Sequence, residues 1–121
     1  MTVLVPAPAR AQAQASSDAR LAAYAGRTCK LAYPHGFMGT MDFLKRAGGL
    51  YVNLETKGFR STQNWGTYPL VAAGVGHYSL TAKWGVRFVT IPQATPATIA
   101  IQRFFPKGGH DSPVTFPCHP S

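Results

Sequence analysis

The clearest hydrophobic pattern in the chain is a two-residue alternation from position 78 to position 88. Apolar or small side chains occupy the even positions, which are Tyr78, Leu80, Ala82, Trp84, Val86 and Phe88. Successive side chains of a β-strand point to opposite faces, so this period predicts a half-buried strand or a pair of strands. A turn and a second alternating run follow. We interpret residues 77–105 as the central hairpin, with Trp84 and Phe88 as anchors of its core.

Similar alternating runs occur along the rest of the chain, separated by clusters of glycine and proline. They lie around positions 28–33, 37–43, 50–55, 59–65 and 114–118. The apolar run within 66–76 is less regular, because Pro69 cannot donate to a central ladder. Seven or eight short strands at this spacing are typical of an all-β fold, a mainly antiparallel meander forming a small barrel or sandwich.

Residues 17–26 predict one short N-terminal helix. Ser16 or Ser17 is placed to cap it and Gly26 to end it. Leu21 and Tyr24 lie three positions apart and would face the domain together. A helix this short is not stable alone in water, so we expect it to close one end of the sheet or barrel.

The two cysteines, Cys29 and Cys118, lie near the two ends of the folded region. In an oxidising compartment they would form a disulfide between the first and last strands, which favours a barrel over an open sandwich. The alternative is a pair of unrelated buried thiols in a cytosolic protein.

Residues 1–16 are rich in alanine, proline and glutamine and carry no core pattern. Two small-x-small triplets are typical of a signal-peptidase site, but a basic start and a long apolar stretch are missing. We interpret the segment as the remnant of a secretory signal or as a disordered arm, and residues 17–121 as one barrel or sandwich domain closed by a disulfide. The expected location is the periplasm or the extracellular space. No apolar run is long enough to predict a membrane span.

Charge gives the first indication of function. Twelve lysines and arginines stand against four acids, a formal net charge of +8, which favours an anionic partner. Lys83 and Arg87 lie four positions apart and are expected on the outer side of one strand, about 13 Å apart.

Other basic residues are expected on the polar phase of their strands, with aromatic platforms beside them. The predicted binding residues are Lys83, Arg87, Lys30, Arg60, Arg103, Tyr51 and Trp65. Together they predict a basic outer face that binds an acidic protein or an anionic polymer. The alternative is that these charges only prevent strands from aggregating.

The chain offers little for catalysis. Asp42, Glu55 and Asp111 fall on separate elements, and no nucleophile, phosphate-loop, dinucleotide or zinc-protease motif occurs. The four histidines show no spacing that puts two metal ligands on one face. We therefore expect a non-enzymatic binding protein with no cofactor, no metal and no nucleic-acid partner.

Two alternatives remain open: a small apolar-ligand carrier with a lipocalin-like interior, and a metal-dependent enzyme that uses rim histidines. In outline alone, as a small, basic, exported antiparallel β-domain with one terminal disulfide, the chain is similar to small periplasmic inhibitors and to minimal lipocalin-like barrels. Neither similarity carries a functional residue over to this sequence.

Overall fold

The alternating runs form nine antiparallel strands in a computed structural model of the protein, which describes residues 18–34, 36–47, 49–58 and 61–121. The elements are helix α1 (Ala19–Ala22) and strands β1 (Arg27–Ala32), β2 (Met38–Arg46), β3 (Gly49–Lys57), β4 (Thr62–Pro69), β5 (Val71–Ala72), β6 (Tyr78–Thr81), β7 (Arg87–Pro92), β8 (Thr98–Phe104) and β9 (Val114–Pro120). The predicted class, all-β with one short helix, is confirmed.

The strands form one sheet that curls into a nearly closed barrel. Their order is β4-β3-β2-β1-β9-β8-β7-β6-β5, so the first and last strands of the chain are neighbours. β4 also contacts β6 across the remaining seam. The barrel therefore consists of two meanders, β1–β4 and β5–β9, that are joined by the pairing of β1 with β9.

The connection at Leu70 explains how nine strands can be antiparallel throughout. Each pairing reverses the strand direction. Three pairings separate β1 from β4 and five separate β1 from β5, so β4 and β5 run in the same direction. They form one path through the wall, bent at Leu70, which is fully buried and whose N–H donates to the Leu50 carbonyl at 3.1 Å. β4 and β5 are the two edge strands, in keeping with the proline at position 69.

The inward side chains of the strands make up a single core cluster. Its largest fully buried members from the strands include Phe43, Phe88, Leu31, Met41, Leu54, Ile99 and Ile101. Cys29 and Cys118 lie opposite each other in the β1–β9 ladder and are joined by a disulfide with an S–S distance of 2.09 Å. The predicted link between the first and last strands is confirmed.

The two ends of the barrel are distinct. We call the end where β1, β3, β6 and β8 finish the upper end; its described connecting residues include Tyr33, Phe37 and the ranges 82–86 and 105–113. The opposite, lower end is covered by α1. Leu21 and Tyr24 are buried there, as predicted. The helix is shorter than predicted, and its cap is Asp18, whose Oδ1 accepts from the N–H of Arg20 at 2.8 Å. Ser16 and Ser17 lie outside the described residues.

The alternation from 78 to 88 belongs to a strand pair, the second of the two predicted arrangements. β6 and β7 are separated by a 3-10 turn at Lys83–Gly85, and Leu80 pairs with Phe88. Leu80 and Phe88 face each other and are an even number of residues apart, so even positions of both strands point to the same face. The two-residue period therefore continues through the turn. Phe88 is 1% exposed and Trp84 is 66% exposed. The expectation that Trp84 anchors the core was wrong.

Loss of the disulfide is predicted to be strongly destabilising. The bond closes a loop with a sequence separation of 89, which is worth about 4–5 kcal/mol in the chain-entropy estimate. We expect the Cys29→Ser/Cys118→Ser double variant to lose that much free energy of unfolding in urea titrations. Addition of a reductant to the wild-type protein should give a similar loss. A change below about 1 kcal/mol in both would contradict the role assigned to this link.

At the lower end, the Tyr78 hydroxyl donates to the Asp18 carboxylate. This bond is the main reason that the pKa of Asp18 falls below its ordinary value of 3.8, and the N–H groups of Leu21 and Arg20 add to the effect. Burial, followed by the hydrogen bond to Asp18, raises the pKa of Tyr78 to about 12. Because the ionised carboxylate is favoured in the folded state, its contribution is present above the unfolded pKa and is lost as pH falls through the folded pKa.

An Asp18→Asn variant should therefore be less stable than wild type at pH 7, by about 1 kcal/mol, since a neutral group accepts more weakly. The deficit should shrink as pH falls below the ordinary pKa of 3.8 and vanish once the wild-type carboxyl is protonated. Unfolding titrations of both proteins between pH 2 and pH 7 measure this difference. A deficit that does not change with pH would show that the charge of Asp18 contributes nothing.

Candidate binding site at the upper end of the barrel

The predicted binding residues are distributed over two regions of the barrel. Lys83, Arg87, Arg103 and Trp65 lie at the upper end. Lys30 is exposed on the outer wall of β1, where it pairs with Thr40. Tyr51 is on the outer wall of β3, with the Arg46 guanidinium carbon 5.7 Å from its ring centroid. Arg60 lies outside the described residues. The structure thus brings four of the seven together at one end.

The expectation that Arg103 lies on the polar, outward-facing side of its strand was wrong. Arg103 shares the parity of Ile99 and Ile101 and pairs with Phe88, so it points inward at the end of β8. Its guanidinium carbon lies 3.6 Å from the ring centroid of Tyr33. Arg103 is four positions after Ile99 and two after Ile101, so the alternation of the strand alone predicts that it points inward with them.

Asp111 holds Arg103 in this position. Its Oδ2 accepts from Arg103 Nε at 2.6 Å, and its Oδ1 accepts from the backbone N–H of Arg103 at 2.7 Å. Asp111 also places its own backbone against β8, because its N–H donates to the Arg103 carbonyl at 3.2 Å. The guanidinium is therefore fixed in orientation by contacts from a loop and a strand.

Lys83 is the first residue of the 3-10 turn and Arg87 is the first residue of β7, so they do not lie four positions apart along one strand. The Lys83 Nζ atom lies 5.2 Å from the ring of Trp84, and the Arg87 guanidinium carbon lies 5.5 Å from the ring of Phe104. Both contacts are within the range of cation–π attraction. Each cation is thus paired with an aromatic face at the rim.

Aromatic side chains form a continuous cluster from the core to the surface at this end. We use the name aromatic cluster for Tyr33, Phe37, Trp65, Trp84, Phe88 and Phe116. Phe37 is its centre, with ring centroids 6.3 Å from Tyr33, 5.4 Å from Trp65 and 5.8 Å from Phe88. Trp65 then contacts Trp84 at 5.1 Å. These edge-to-face and tilted arrangements are favourable for aromatic pairs, so the exposed Trp84 rests on a packed base.

Two polar atoms in the aromatic cluster are buried without a hydrogen-bond partner among the described residues: Tyr33 Oη and Trp65 Nε1. Burial, followed by the negative charge of Asp111, raises the pKa of Tyr33, while Arg103 lowers it. The phenol therefore remains neutral at physiological pH and keeps its O–H donor. Tyr33 was not among the site residues predicted from the sequence, because the charged groups beside it come from β8 and the loop after it.

The upper end is also rich in positive charge. Five described cations lie on its strand ends and connections: Lys57, Lys83, Arg87, Arg103 and Lys107. Glu55 on β3 and Asp111 are the acids of the same region, and Asp111 is already bonded to Arg103. Among the described residues, cations therefore outnumber acids at the end of the barrel that carries the aromatic cluster.

The backbone at Trp84 is unusual. Trp84 has φ 63° and the following Gly85 has φ 77°. The turn is closed by the Gly85 N–H, which donates to the Ala82 carbonyl at 3.1 Å, and the left-handed region that Trp84 occupies is one that glycine and asparagine adopt most readily. A tryptophan in the left-handed region costs roughly 1 kcal/mol or more, so local stability does not explain this choice of residue.

The described residues contain no group of three or more His, Cys, Asp or Glu side chains arranged to hold a metal ion. His110 lies at the upper end, His77 and His119 lie at the lower end, and His35 is outside the described part of the chain. No helix in the described ranges is both long enough and apolar enough to cross a membrane.

Neither a family model, nor a curated protein, nor a solved structure matches this chain.

A pair of substitutions tests whether Trp84 serves the surface or the core. Trp84→Asn should change the free energy of unfolding by less than about 1 kcal/mol, because relief of the turn offsets the lost contact with Trp65. Phe88→Ala, one strand away, should cost about 3–5 kcal/mol because it empties the core. Urea titrations measure both. A loss above about 2 kcal/mol for Trp84→Asn would instead mark Trp84 as a structural residue.

Proposed function

We propose that this protein is an exported, non-enzymatic binding protein that recognises an acidic protein through the upper end of its barrel. The observation that carries the proposal is the exposed Trp84. It occupies a turn position that favours Asn, it rests on Trp65, and Lys83 and Arg87 flank it. Tryptophan and arginine dominate the energetically important residues of protein interfaces. A rigidly supported tryptophan among cations has the composition of such an anchor.

The arrangement of charge favours a protein over an anionic polymer. Lys83, Arg87 and Arg103 each lie near an aromatic ring, so charge and apolar surface alternate across the upper end. A polyanion would neutralise the cations and leave the rings exposed to water. A folded acidic partner can cover both, since interface cores combine aromatic contacts with a polar rim.

The packing of the interior favours surface binding over carriage of a small ligand. Phe43 and Phe88 are fully buried members of one core cluster that also includes Leu21 and Tyr24 from the helix segment at the lower end. A carrier needs an internal space lined by such residues, of a few hundred Å³. The large side chains of this barrel are in contact with one another instead.

The proposed export is supported by the Cys29–Cys118 disulfide, because such bonds persist mainly in oxidising compartments. The signal-like features of residues 1–16 point the same way, although this segment lies outside the described residues. An extracellular or periplasmic partner follows from this location.

Selection from a displayed library of random peptides tests the proposal with a defined probe. We expect enriched peptides to combine Asp or Glu with aromatic residues. Their affinity should fall about 30-fold or more in Trp84→Asn, the size of an interface hot spot. It should fall further in Lys83→Glu/Arg87→Glu and decrease with added salt. Fluorescence anisotropy with a labelled enriched peptide measures these changes.

Lys45→Glu/Arg46→Glu is the matched control, because it makes the same charge change at the lower end of β2. It should leave the affinity unchanged. Equal loss in both double variants would contradict a specific upper-end site. Heparin that binds more tightly than every enriched peptide, with no effect of Trp84→Asn, would reject the acidic-protein partner in favour of an anionic polymer.

A further inference from the structure

Tyr33 Oη and Trp65 Nε1 share one unusual property. Each is buried, and neither has a hydrogen-bond partner in the part of the chain that the structure describes. Tyr33 as a whole is 6% exposed. Buried tyrosine and tryptophan side chains normally find a partner for their O–H or N–H. Two unpaired donors in one aromatic cluster therefore point to a partner from outside the described residues.

Arg103 adds further donors at the same place. Asp111 uses its Nε and its backbone N–H, while within the described residues the two terminal nitrogens of the guanidinium make no hydrogen bond. The guanidinium carbon is 3.6 Å from the Tyr33 ring centroid, so the guanidinium stacks on the ring that carries the unpaired hydroxyl. An ion pair with Asp111 explains where Arg103 points. It does not explain the unpaired hydroxyl of Tyr33.

We infer that Arg103 and Tyr33 form a carboxylate-recognition site that takes the side chain of an Asp or Glu of the acidic partner. A carboxylate accepts hydrogen bonds only, and the forked guanidinium matches its two oxygens. The Trp65 N–H, on the other side of Phe37, donates to a second acceptor of the same segment, such as a main-chain carbonyl. This inference rests on the proposed function and specifies the chemistry of its site.

The site has a fixed first donor and an apolar surround. Asp111 orients Arg103, and Phe37 and Phe116 pack against Tyr33 at 6.3 and 4.9 Å. Hydrogen bonds to a carboxylate are strengthened where water is excluded. An uncharged amide of the same shape would place an NH₂ group against donors, so the site should discriminate strongly between Asp and Asn.

The test uses a matched pair of small probes, N-acetyl-Asp-Phe-amide and N-acetyl-Asn-Phe-amide, and follows protein resonances by NMR. The wild-type protein should bind the Asp probe at least ten times more tightly than the Asn probe. Binding should also shift the Trp65 indole N–H resonance, which Trp84→Asn allows to be assigned. Equal affinity for the two probes would overturn the inference.

Variants separate binding from stability. Tyr33→Phe should weaken the Asp probe about five- to tenfold and leave the melting temperature unchanged or higher, because it removes an unpaired buried hydroxyl. Arg103→Lys should weaken it at least tenfold. Tyr51→Phe, on the outer wall of β3, is the control and should leave the affinity for the Asp probe unchanged. Unaltered affinity in Tyr33→Phe, or a clear loss of stability in that variant, would reject the assignment.

The outcomes also distinguish this inference from the function beneath it. If acidic peptides still require Trp84 but the Asp and Asn probes bind equally, the proposed function stands and the carboxylate site is wrong. If the Asp probe is preferred but no acidic peptide is enriched, the site binds small carboxylates and the protein partner is wrong.

Discussion

The pairing of β1 with β9 is the contact on which the rest of the structure depends. The meanders β1–β4 and β5–β9 meet there through three residue pairs, one of which is the disulfide-bonded Cys29 and Cys118. The upper end is assembled across this junction. Phe37 and Trp65 come from the first meander, and Phe88 and Arg103 from the second. Because neither half contains all the residues of the candidate site, its assembly depends on the ladder and its disulfide.

Among the described residues, the two ends of the barrel differ in whether their tyrosine hydroxyl groups are hydrogen-bonded. At the lower end, the Tyr24 hydroxyl donates to the Thr98 carbonyl and accepts from the Gln93 N–H, and the Tyr78 hydroxyl donates to Asp18. At the upper end, the hydroxyl of Tyr33 is buried and has no hydrogen-bond partner in the described part of the chain. The same residue type thus serves closure at one end. At the other end it carries a hydroxyl with no partner among the described residues, which is the group that the proposed carboxylate site uses.

Much of the fold was predictable because a period of two and a count of turns specify an antiparallel meander. The burial of Phe88 followed from the same period, that of Leu21 and Tyr24 from their helical spacing, and the disulfide from the positions of the two cysteines. Periodicity records only parity, however. It could not show that a turn interrupts the run at Trp84, since the turn preserves parity. The candidate site was harder still: Tyr33 and Arg103 are far apart in sequence, and their contact depends on how the barrel closes.

Departures from local stability are concentrated at the upper end. Trp84 adopts a backbone conformation that suits asparagine or glycine, and Tyr33 and Trp65 bury donors that the described residues leave unpaired. Each is unfavourable for folding, yet the alternation, turns and helix cap elsewhere agree with the fold. Proteins whose local conformational preferences agree with the fold tend to depart from those preferences at functional sites. Trp84, Tyr33 and Trp65 belong to one aromatic cluster, and Arg103 contacts Tyr33. A single binding event at that cluster could therefore compensate for all of these departures.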